Sequence, residues 1–275
     1  MSRVDAPRDP LRAAPADAPA TDADAGSPLA LTVLTLNTHK GFGFFGRRFV
    51  LHELRDAVRA VSADIVFLQE VLGTHERHRQ RHANWPEASH YEFLADEIWP
   101  QYAYGRNAVY PHGHHGNALL SKLPILRHEN RDVTVQRDER RGLLYCVLQS
   151  PHGGREIHTI CVHLSLLEGQ RQQQLALLCS MIDDEIPADA PLVIAGDFND
   201  WRLRGHATLA RCPGLVEAFV ASRGHPARTF PARWPVVPLD RVYVRNVRVD
   251  HQQVLATRPW SHLSDHAPLV ARITL

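Results

Sequence analysis

Cysteine is scarce in this chain of 275 residues: there are four, and none is spaced as a CxxC pair. The absence of such a pair argues against a structural zinc site. Cys161 and Cys179 lie in apolar runs, which is typical of buried thiols, and we expect a reducing compartment. No stretch approaches the ~18 apolar residues of a membrane span, and the N-terminal residues lack the apolar core of a signal peptide. We therefore expect a soluble, cytoplasmic protein without an integral membrane segment.

Lysine is rarer still, because only Lys40 and Lys122 occur and the other 29 basic residues are arginines. Arginine suits phosphate recognition, but a genomic bias toward Arg and Ala codons explains the same composition, and we favour that explanation. The formal net charge is +1, so the chain lacks the basic balance of a dedicated nucleic-acid-binding protein. Leaving out the three bases and five acids of residues 1–28 gives 28 bases against 25 acids, which mildly favours an anionic substrate.

Two regions differ in composition. Residues 1–28 are rich in Ala, Pro and Asp and cannot bury enough apolar surface to fold, so we predict a disordered tail. Residues 29–275 form a single predicted domain. Apolar residues at three-four spacing predict helices over 49–63 and 168–186. Alternating or continuous apolar runs predict strands over 29–37, 64–70, 116–121, 142–150, 155–165, 191–196, 239–249 and 266–275, with a hairpin turn at 151–154.

Polar residues end most of these predicted strands. Each of them alone is best explained as a turn residue or a solvated strand end. Together they put a carboxylate, an amide or an imidazole at nearly every strand end, which favours a site for a hard cation. Mg²⁺ and Mn²⁺ take oxygen ligands from one or two carboxylates and keep waters that a substrate phosphate can replace. The residues are Asn37, Glu70, His163, Asp197, Asn199, Asp240, Asp265 and His266.

Seven segments resemble, in order, the endonuclease/exonuclease/phosphatase superfamily: LTLNTHKG, FLQEV, GNALLSKLPI, CVHLS, AGDFND, LDRVYV and LSDHAPL. The resemblance extends over about residues 30–275. GDFN and SDH are specific in combination, whereas either motif alone is weak evidence. The resemblance implies an α/β fold of the deoxyribonuclease I-like type: a four-layer sandwich of two mixed β-sheets flanked by helices, with the site at one end of the sheets.

The resemblance also implies which residues bind the metal and the attacking water. Glu70 would be the principal metal ligand, with Asn37 beside it. Asp265 would join the metal or water network. Asp197 would orient or deprotonate the attacking water, and Asn199 would support it.

The remaining matching residues would contact the phosphate. His163 and His266 would bind the scissile phosphate, and Asp240 would orient His266. We also place Asn117 and Arg141 at the substrate, Arg141 because relatives carry phosphate-binding groups in that region.

These roles predict a Mg²⁺-dependent (or Mn²⁺-dependent) phosphoesterase that hydrolyses a phosphodiester by in-line attack of water. We favour a nuclease, and the alternative is a phospholipid phosphodiesterase or an inositol- or sugar-phosphate phosphatase. Near-neutral charge weakens the nuclease interpretation, and the lack of an anchor weakens the lipid one. A non-catalytic binding domain is a remote alternative, since fold does not fix function. The expected partner is a phosphodiester in nucleic acid or in a phospholipid head group, and we expect a monomer.

Two motifs point elsewhere. GFGFFG at 41–46 matches GxGxxG, so a dinucleotide-binding enzyme is a rival, but bulky Phe44 and Phe45 stand where a pyrophosphate would approach. We expect a substrate-facing loop with Phe42, Phe44 and Phe45 partly exposed, and these rings could touch a base or a lipid chain or simply pack. The stretch 73–85 has three histidines and three arginines without HExxH spacing. It is either a solvated loop or a site for a second phosphate.

Overall fold

The computed structural model describes residues 28–136, 140–151 and 155–275. The tail predicted to be disordered, residues 1–28, lies outside the described residues except for residue 28. Of the predicted turn at 151–154, only residue 151 is described. The described strands are β1 (Ala30–Asn37), β2 (Ile65–His75), β3 (Gln101–Tyr110), β4 (Gly113–Ser121), β5 (Ile125–Asp132), β6 (Gly142–Gln149), β7 (Glu156–His163), β8 (Leu192–Asp197), β9 (Val216–Glu217), β10 (Asp240–Arg245), β11 (Arg248–Val254) and β12 (Leu269–Thr274). The α-helices are α1 (Leu51–Val61), α2 (Glu76–Arg81), α3 (His90–Ala95), α4 (Glu168–Glu185), α5 (Gly205–Leu209), α6 (Ala218–Arg223) and α7 (Trp260–Leu263).

The strands form two six-stranded sheets. The first has the order β11-β12-β1-β2-β4-β3 and the second β5-β6-β7-β8-β10-β9. Each sheet is mixed, because β1 pairs with β2 and β7 with β8 in parallel while the neighbouring pairs are antiparallel. This arrangement confirms the expected pair of mixed sheets. It is not the parallel, doubly wound sheet that a dinucleotide-binding fold requires.

Alternation along the strands builds the layers. In β2, Ile65 and Phe67 point into the core between the two sheets, whereas Val66 and Leu68 point outward to the helices, because successive side chains face opposite sides of a sheet. Helices α1 and α3 cover the outer face of the first sheet, and α4 covers that of the second. The result is helix, sheet, sheet and helix, the predicted four-layer sandwich.

Pairing register brings the predicted site residues to one end of the sandwich. Asn37, the last residue of β1, pairs with Gln69 in the middle of β2, next to Glu70. In the second sheet, His163 pairs with Asp197, and Asp197 pairs in turn with Asp240. Strands that are far apart in sequence therefore end together.

Three local predictions are wrong. Residues 239–249 are not one strand, since Asn246 at φ 55° makes a turn that separates β10 in one sheet from β11 in the other. Residues 73–85 are not a plain loop, because β2 continues to His75 and α2 follows it. Phe42 is not partly exposed: it is 9% exposed and packs on Phe49, with ring centroids 5.6 Å apart.

In the described parts of the chain, no helix is long and apolar enough to cross a membrane.

Candidate active site

Three buried side chains meet at the end of the second sheet. Asp197 ends β8 and lies opposite Asp240, the first residue of β10. His266 precedes β12; its Nδ1 lies 2.8 Å from Asp240 Oδ2 and its Nε2 lies 3.9 Å from Asp197 Oδ2. Across the residues that the structure describes, these three form the one group of at least three His, Cys, Asp or Glu whose potential ligand atoms all lie within 4.8 Å of one another.

Burial and pairing set the protonation of this group. Burial alone would lower the pKa of His266, but the carboxylates of Asp240 and Asp197 raise it to about 10. His266 is therefore a cation at neutral pH. Burial raises the pKa of Asp197 to about 7, with Asp240 adding to the rise and His266 opposing it. A carboxylate with a pKa near neutrality is suited to accept a proton from water.

The backbone before and after Asp197 fixes its direction. Gly196 has φ 147°, and a Cβ there would lie 2.0 Å from the Val162 carbonyl oxygen, so only glycine fits between the strands. After Asp197 the chain turns back, and the Asn199 backbone N–H donates to Asp197 Oδ1 at 2.9 Å. Asn37 Nδ2 donates to Asp197 Oδ2 at 3.3 Å. Both oxygens of Asp197 are thus held by neighbours in a defined orientation.

His163 faces the same carboxylate from β7. Its Nε2 lies 3.5 Å from Asp197 Oδ2. Burial lowers the pKa of His163 well below its usual value, and the nearby Arg141 lowers it further. Asp197 therefore lies between a neutral imidazole, His163, and a cationic one, His266.

Glu70 lies on a bulge of β2. The β2–β4 register shifts between Leu68 and Val71, and Glu70 has φ 54°, which is uncommon for a residue with a side chain. Lys40 Nζ lies 3.0 Å from Glu70 Oε2. Burial alone would raise the pKa of Glu70, but His163, which is protonated only at low pH, and Lys40 outweigh it and hold that pKa at about 2. The carboxylate is therefore ionised at neutral pH.

Asp265 is the most exposed of the predicted acids. Its side chain is 27% exposed, and its Oδ1 lies 3.7 Å from His39 Nδ1. The adjacent Ser264 hydroxyl donates to the Asn37 carbonyl oxygen at 2.7 Å and ties this loop to the end of β1. Asp265 and Asn37 thus belong to one hydrogen-bonded region between β1 and β12.

The two predicted substrate contacts differ in placement. Asn117 is fully buried, and its Nδ2 donates to the carbonyl oxygens of Gly142 at 3.0 Å and Cys161 at 3.2 Å, so its amide nitrogen joins the two sheets. Arg141 is half-buried and lowers the pKa values of His163 and His115, which places its charge beside the site. Contact of either residue with a substrate stays a prediction.

Oxygen donors predominate around this site. Glu70 supplies an ionised carboxylate, and Asp240 Oδ1 is buried without a hydrogen-bond partner. Asn37 Oδ1 accepts from the His39 backbone N–H at 3.0 Å. Such oxygens fit a hard divalent cation better than a thiophilic one. The structure brings Asn37 to Asp197, but pairs Glu70 with Lys40 and Asp265 with His39, so the predicted ligand set remains a prediction.

Sequence reasoning missed two residues at this site, His39 and Lys40, and left His115 open between a solvated residue and a phosphate-binding one. Lys40 was noted as one of two lysines but not as the partner of Glu70. Both His39 and Lys40 have positive φ, at 47° and 57°, and a left-handed turn after β1 aims them at the site. His115 on β4 has a pKa lowered to about 4 by burial and by Lys40. The one feature of the sequence that could have placed Lys40 at the site is its position three residues after Asn37.

The fold and the buried acids and histidines at one end of its strands define a deoxyribonuclease I-like domain. Residues 34–266 match the model of the endonuclease/exonuclease/phosphatase family, and the chain belongs to that family. It is 55% identical over 252 residues to the uncharacterized protein YbhP of Escherichia coli strain K12, a match that covers 92% of this chain and 99% of that protein.

Two solved structures show the same fold. The chain is similar to D. rerio TDP2 complexed with a single-strand DNA product, with a TM-score of 0.66 and 19% identity, over 89% of this chain and 98% of that one. It is also similar to the mannosyl-6-phosphatase Bt3783 of Bacteroides thetaiotaomicron VPI-5482, with a TM-score of 0.66 and 16% identity, over 89% of this chain and all (100%) of that one. At these identities the likeness extends to the fold alone.

Proposed function

We propose that this protein is a divalent-metal-dependent phosphodiesterase that hydrolyses its substrate by in-line attack of water. Membership in the endonuclease/exonuclease/phosphatase family supports phosphoester hydrolysis as the class of chemistry. The observation that carries the proposal is the environment of Asp197. This carboxyl group is buried between neutral His163 and cationic His266, and its pKa is near 7.

Each residue has a separate task in this proposal. Asp197 orients the water and accepts its proton, while Asn199 and Asn37 keep its two oxygens in place. His266, held in its cationic form by Asp240, donates to a phosphoryl oxygen and offsets the charge that develops in the transition state. His163 binds a second phosphoryl oxygen with a neutral N–H, and Arg141 adds positive charge beside it.

A divalent cation, when bound, would polarise the phosphoryl oxygen and lower the cost of negative charge on it. Glu70 would hold it, with Asn37 and Asp265 nearby. The ionised state of Glu70 supports this role, since a hard cation requires a deprotonated carboxylate. Magnesium is the first choice and manganese the second.

The substrate class is the open part of the proposal. Nucleic acid is one candidate, because TDP2, a protein of the same fold, has been seen with a single-strand DNA product. A phospholipid phosphodiester is the second candidate, and the large apolar side chains exposed on the loops around the site favour it.

A substrate panel tests the proposal. Single-stranded DNA, supercoiled plasmid, abasic DNA, phosphatidylglycerol in mixed micelles and sugar phosphates are incubated with Mg²⁺, with Mn²⁺ and with EDTA. We expect turnover of at least one phosphodiester that EDTA abolishes and added Mg²⁺ restores. Turnover that persists in EDTA would contradict the metal dependence. Purified protein that turns over no phosphodiester in either metal would count against the activity.

Substitution of two neighbouring aspartates, Asp197 and Asp200, tests whether Asp197 has a catalytic role that Asp200 lacks. Asp197→Asn removes the proton acceptor, and we expect turnover to fall by about 10²-fold or more. Asp200 instead accepts from the backbone N–H groups of Arg204 at 3.0 Å and Gly205 at 2.9 Å. Asp200→Asn should therefore lower stability by about 1 kcal/mol while the folded enzyme keeps most of its turnover. Equal losses of turnover in the two variants would remove the special role of Asp197.

A further inference from the structure

Large apolar side chains are exposed around the active site. Of the twelve exposed large hydrophobic residues in the described parts of the chain, seven lie in loops that adjoin the site strands. The exposure is substantial, with Phe45 at 68%, Leu166 at 62% and Trp234 at 69%. The seven are Phe45, Leu166, Leu167, Trp201, Leu203, Trp234 and Val236.

The topology places these loops at one end of the sandwich. Phe45 follows the end of β1, Leu166 and Leu167 follow β7, and the loop with Trp201 follows β8. Trp234 lies in the loop that leads into β10 at Asp240. We define the site rim as residues 38–50, 164–167, 198–204, 228–239 and 255–268, the loops next to the strand ends that carry Asn37, His163, Asp197, Asp240 and His266.

The site rim is also strongly basic. It contains eight lysines and arginines but two acids, Asp200 and Asp265, whereas the chain as a whole has a net charge of +1. Most of the basic side chains are exposed, and the acid Asp200 is buried in backbone hydrogen bonds. The eight are Lys40, Arg47, Arg48, Arg202, Arg204, Arg228, Arg233 and Arg258.

A cavity in the rim combines both properties. Its volume is about 980 Å³, and its lining includes Phe44, Phe45, Arg233 and Arg258. The Arg233 guanidinium carbon lies 5.1 Å and 4.9 Å from the ring centroids of Phe44 and Phe45. Because the arginine lies on two phenyl rings, the cavity presents an apolar surface and a positive charge to the same ligand.

We propose that the site rim docks the protein on an anionic lipid surface, so that the substrate is a phospholipid phosphodiester presented at the head-group level. The choice of substrate rests on the phosphodiesterase function proposed above. Trp, Phe and Leu beside arginines are the side chains that enter the boundary between head groups and acyl chains. The positive rim complements an anionic leaflet.

The aliphatic members of the rim favour lipid over nucleic acid. Single-stranded nucleic acid binds to aromatic rings that stack with bases and to cations that track phosphates. Four rim residues have neither an aromatic ring nor a charge, yet they are 46–62% exposed: Leu166, Leu167, Leu203 and Val236. In a bilayer the same side chains leave water for hydrocarbon, which is favourable in proportion to their apolar area.

Vesicle sedimentation of the full chain in EDTA tests the docking without turnover. The probes are vesicles of equal parts phosphatidylglycerol and phosphatidylcholine, and vesicles of phosphatidylcholine alone. The rim variant Leu166→Ser/Leu203→Ser is compared with the control Leu126→Ser/Leu177→Ser, whose leucines are 49% and 50% exposed on β5 and α4. Thermal melting of all proteins verifies that they are folded.

We expect binding to anionic vesicles, weaker binding to neutral ones, and a loss of about tenfold in the rim variant. The control should bind like the unsubstituted protein. Absent binding to anionic vesicles, or an equal loss in the control, would overturn the proposal. So would a single-stranded DNA oligomer that binds more tightly than vesicles and loses affinity in the rim variant, because the rim would then be a nucleic-acid surface.

The two proposals fail in different experiments. Asp197→Asn should lose turnover but keep vesicle binding, since Asp197 is buried beneath the rim. Vesicle binding that fails while a soluble phosphodiester is hydrolysed would reject the docking and leave the phosphodiesterase proposal intact.

Discussion

His163 and His266 face the same carboxylate and differ in charge because of their neighbours. His266 has Asp240 at 2.8 Å behind it, whereas the largest charge that acts on His163 beyond its burial is that of Arg141, which Glu70 opposes. A carboxylate behind an imidazole favours the protonated ring, and burial beside an arginine disfavours it. The pair therefore supplies one cationic and one neutral donor within the same few ångströms.

The first prediction concerns this difference. With a pKa of about 10, His266 stays charged at neutral pH, and kcat/KM should fall as the pH rises through that value. Asp240→Asn removes the largest influence that raises the pKa, so burial should then dominate and shift the alkaline limb of the kcat/KM profile about one pH unit or more downward. Asp183→Asn, at an exposed position on α4, is the control. An unmoved alkaline limb in Asp240→Asn would show that His266 does not act as the cation.

The second prediction concerns Glu70. Glu70→Gln keeps the shape of the side chain but removes its charge, so the Mg²⁺ concentration at half-maximal activity should rise at least about tenfold. Glu87→Gln, at an exposed position, should leave the titration unchanged. Identical Mg²⁺ titrations for the two variants would exclude Glu70 as a ligand.

The side chains around Asp197 were predictable from sequence, and the contact of Lys40 with Glu70 was not. The motifs predict which residue types stand at the strand ends, and the pairing of the strands, parallel for β7 with β8 and antiparallel for β8 with β10, brings them together. The Lys40 contact depends on a left-handed turn after β1 and on a bulge in β2, where Lys40 and Glu70 both have positive φ. Such backbone conformations arise from tertiary packing and leave no periodic trace in sequence.

At the level of elements, the interior of each sheet was predicted and the edges were not. Helices α1 and α4 were predicted within about two residues of their ends, because each buries one apolar face. The missed strand β5 and the misassigned β11 lie at sheet edges and expose most of their side chains. Edge strands carry charges that limit association with other strands, so they lack the alternation by which strands are recognised.

The third prediction concerns the strand that carries Asp197. Gly196→Ala would place a Cβ 2.0 Å from the Val162 carbonyl oxygen at φ 147°, so β7 and β8 must separate. We expect a loss of about 2–4 kcal/mol in the free energy of unfolding. In the control Gly169→Ala, the new Cβ meets no atom within 4 Å in the first turn of α4, and stability should rise by about 0.5 kcal/mol. Urea unfolding measures both, and a Gly196→Ala protein as stable as the unsubstituted one would contradict the close approach.

At the scale of the whole molecule, charge is distributed unevenly around a near-neutral total. Strand register gathers loops of both sheets at one end, and the site rim among them carries eight of the 31 lysines and arginines with two of the 30 acids. Net charge computed from composition hid this arrangement, since it depends on which strand ends meet. An anionic substrate would therefore be attracted to the site even though the protein as a whole is almost neutral.

The last prediction follows from that unevenness. Arg258 lies in the rim and Arg155 at the opposite end of the sandwich, where β7 begins, and both are exposed. At low ionic strength, Arg258→Glu should reduce kcat/KM for an anionic substrate by roughly three- to tenfold, and the reduction should shrink as salt screens the rim. Arg155→Glu makes the same change in net charge but lies far from the site, so its effect should be smaller at every salt concentration. If the two reversals reduced kcat/KM equally, net charge and not the position of charge in the rim would govern the approach of the substrate.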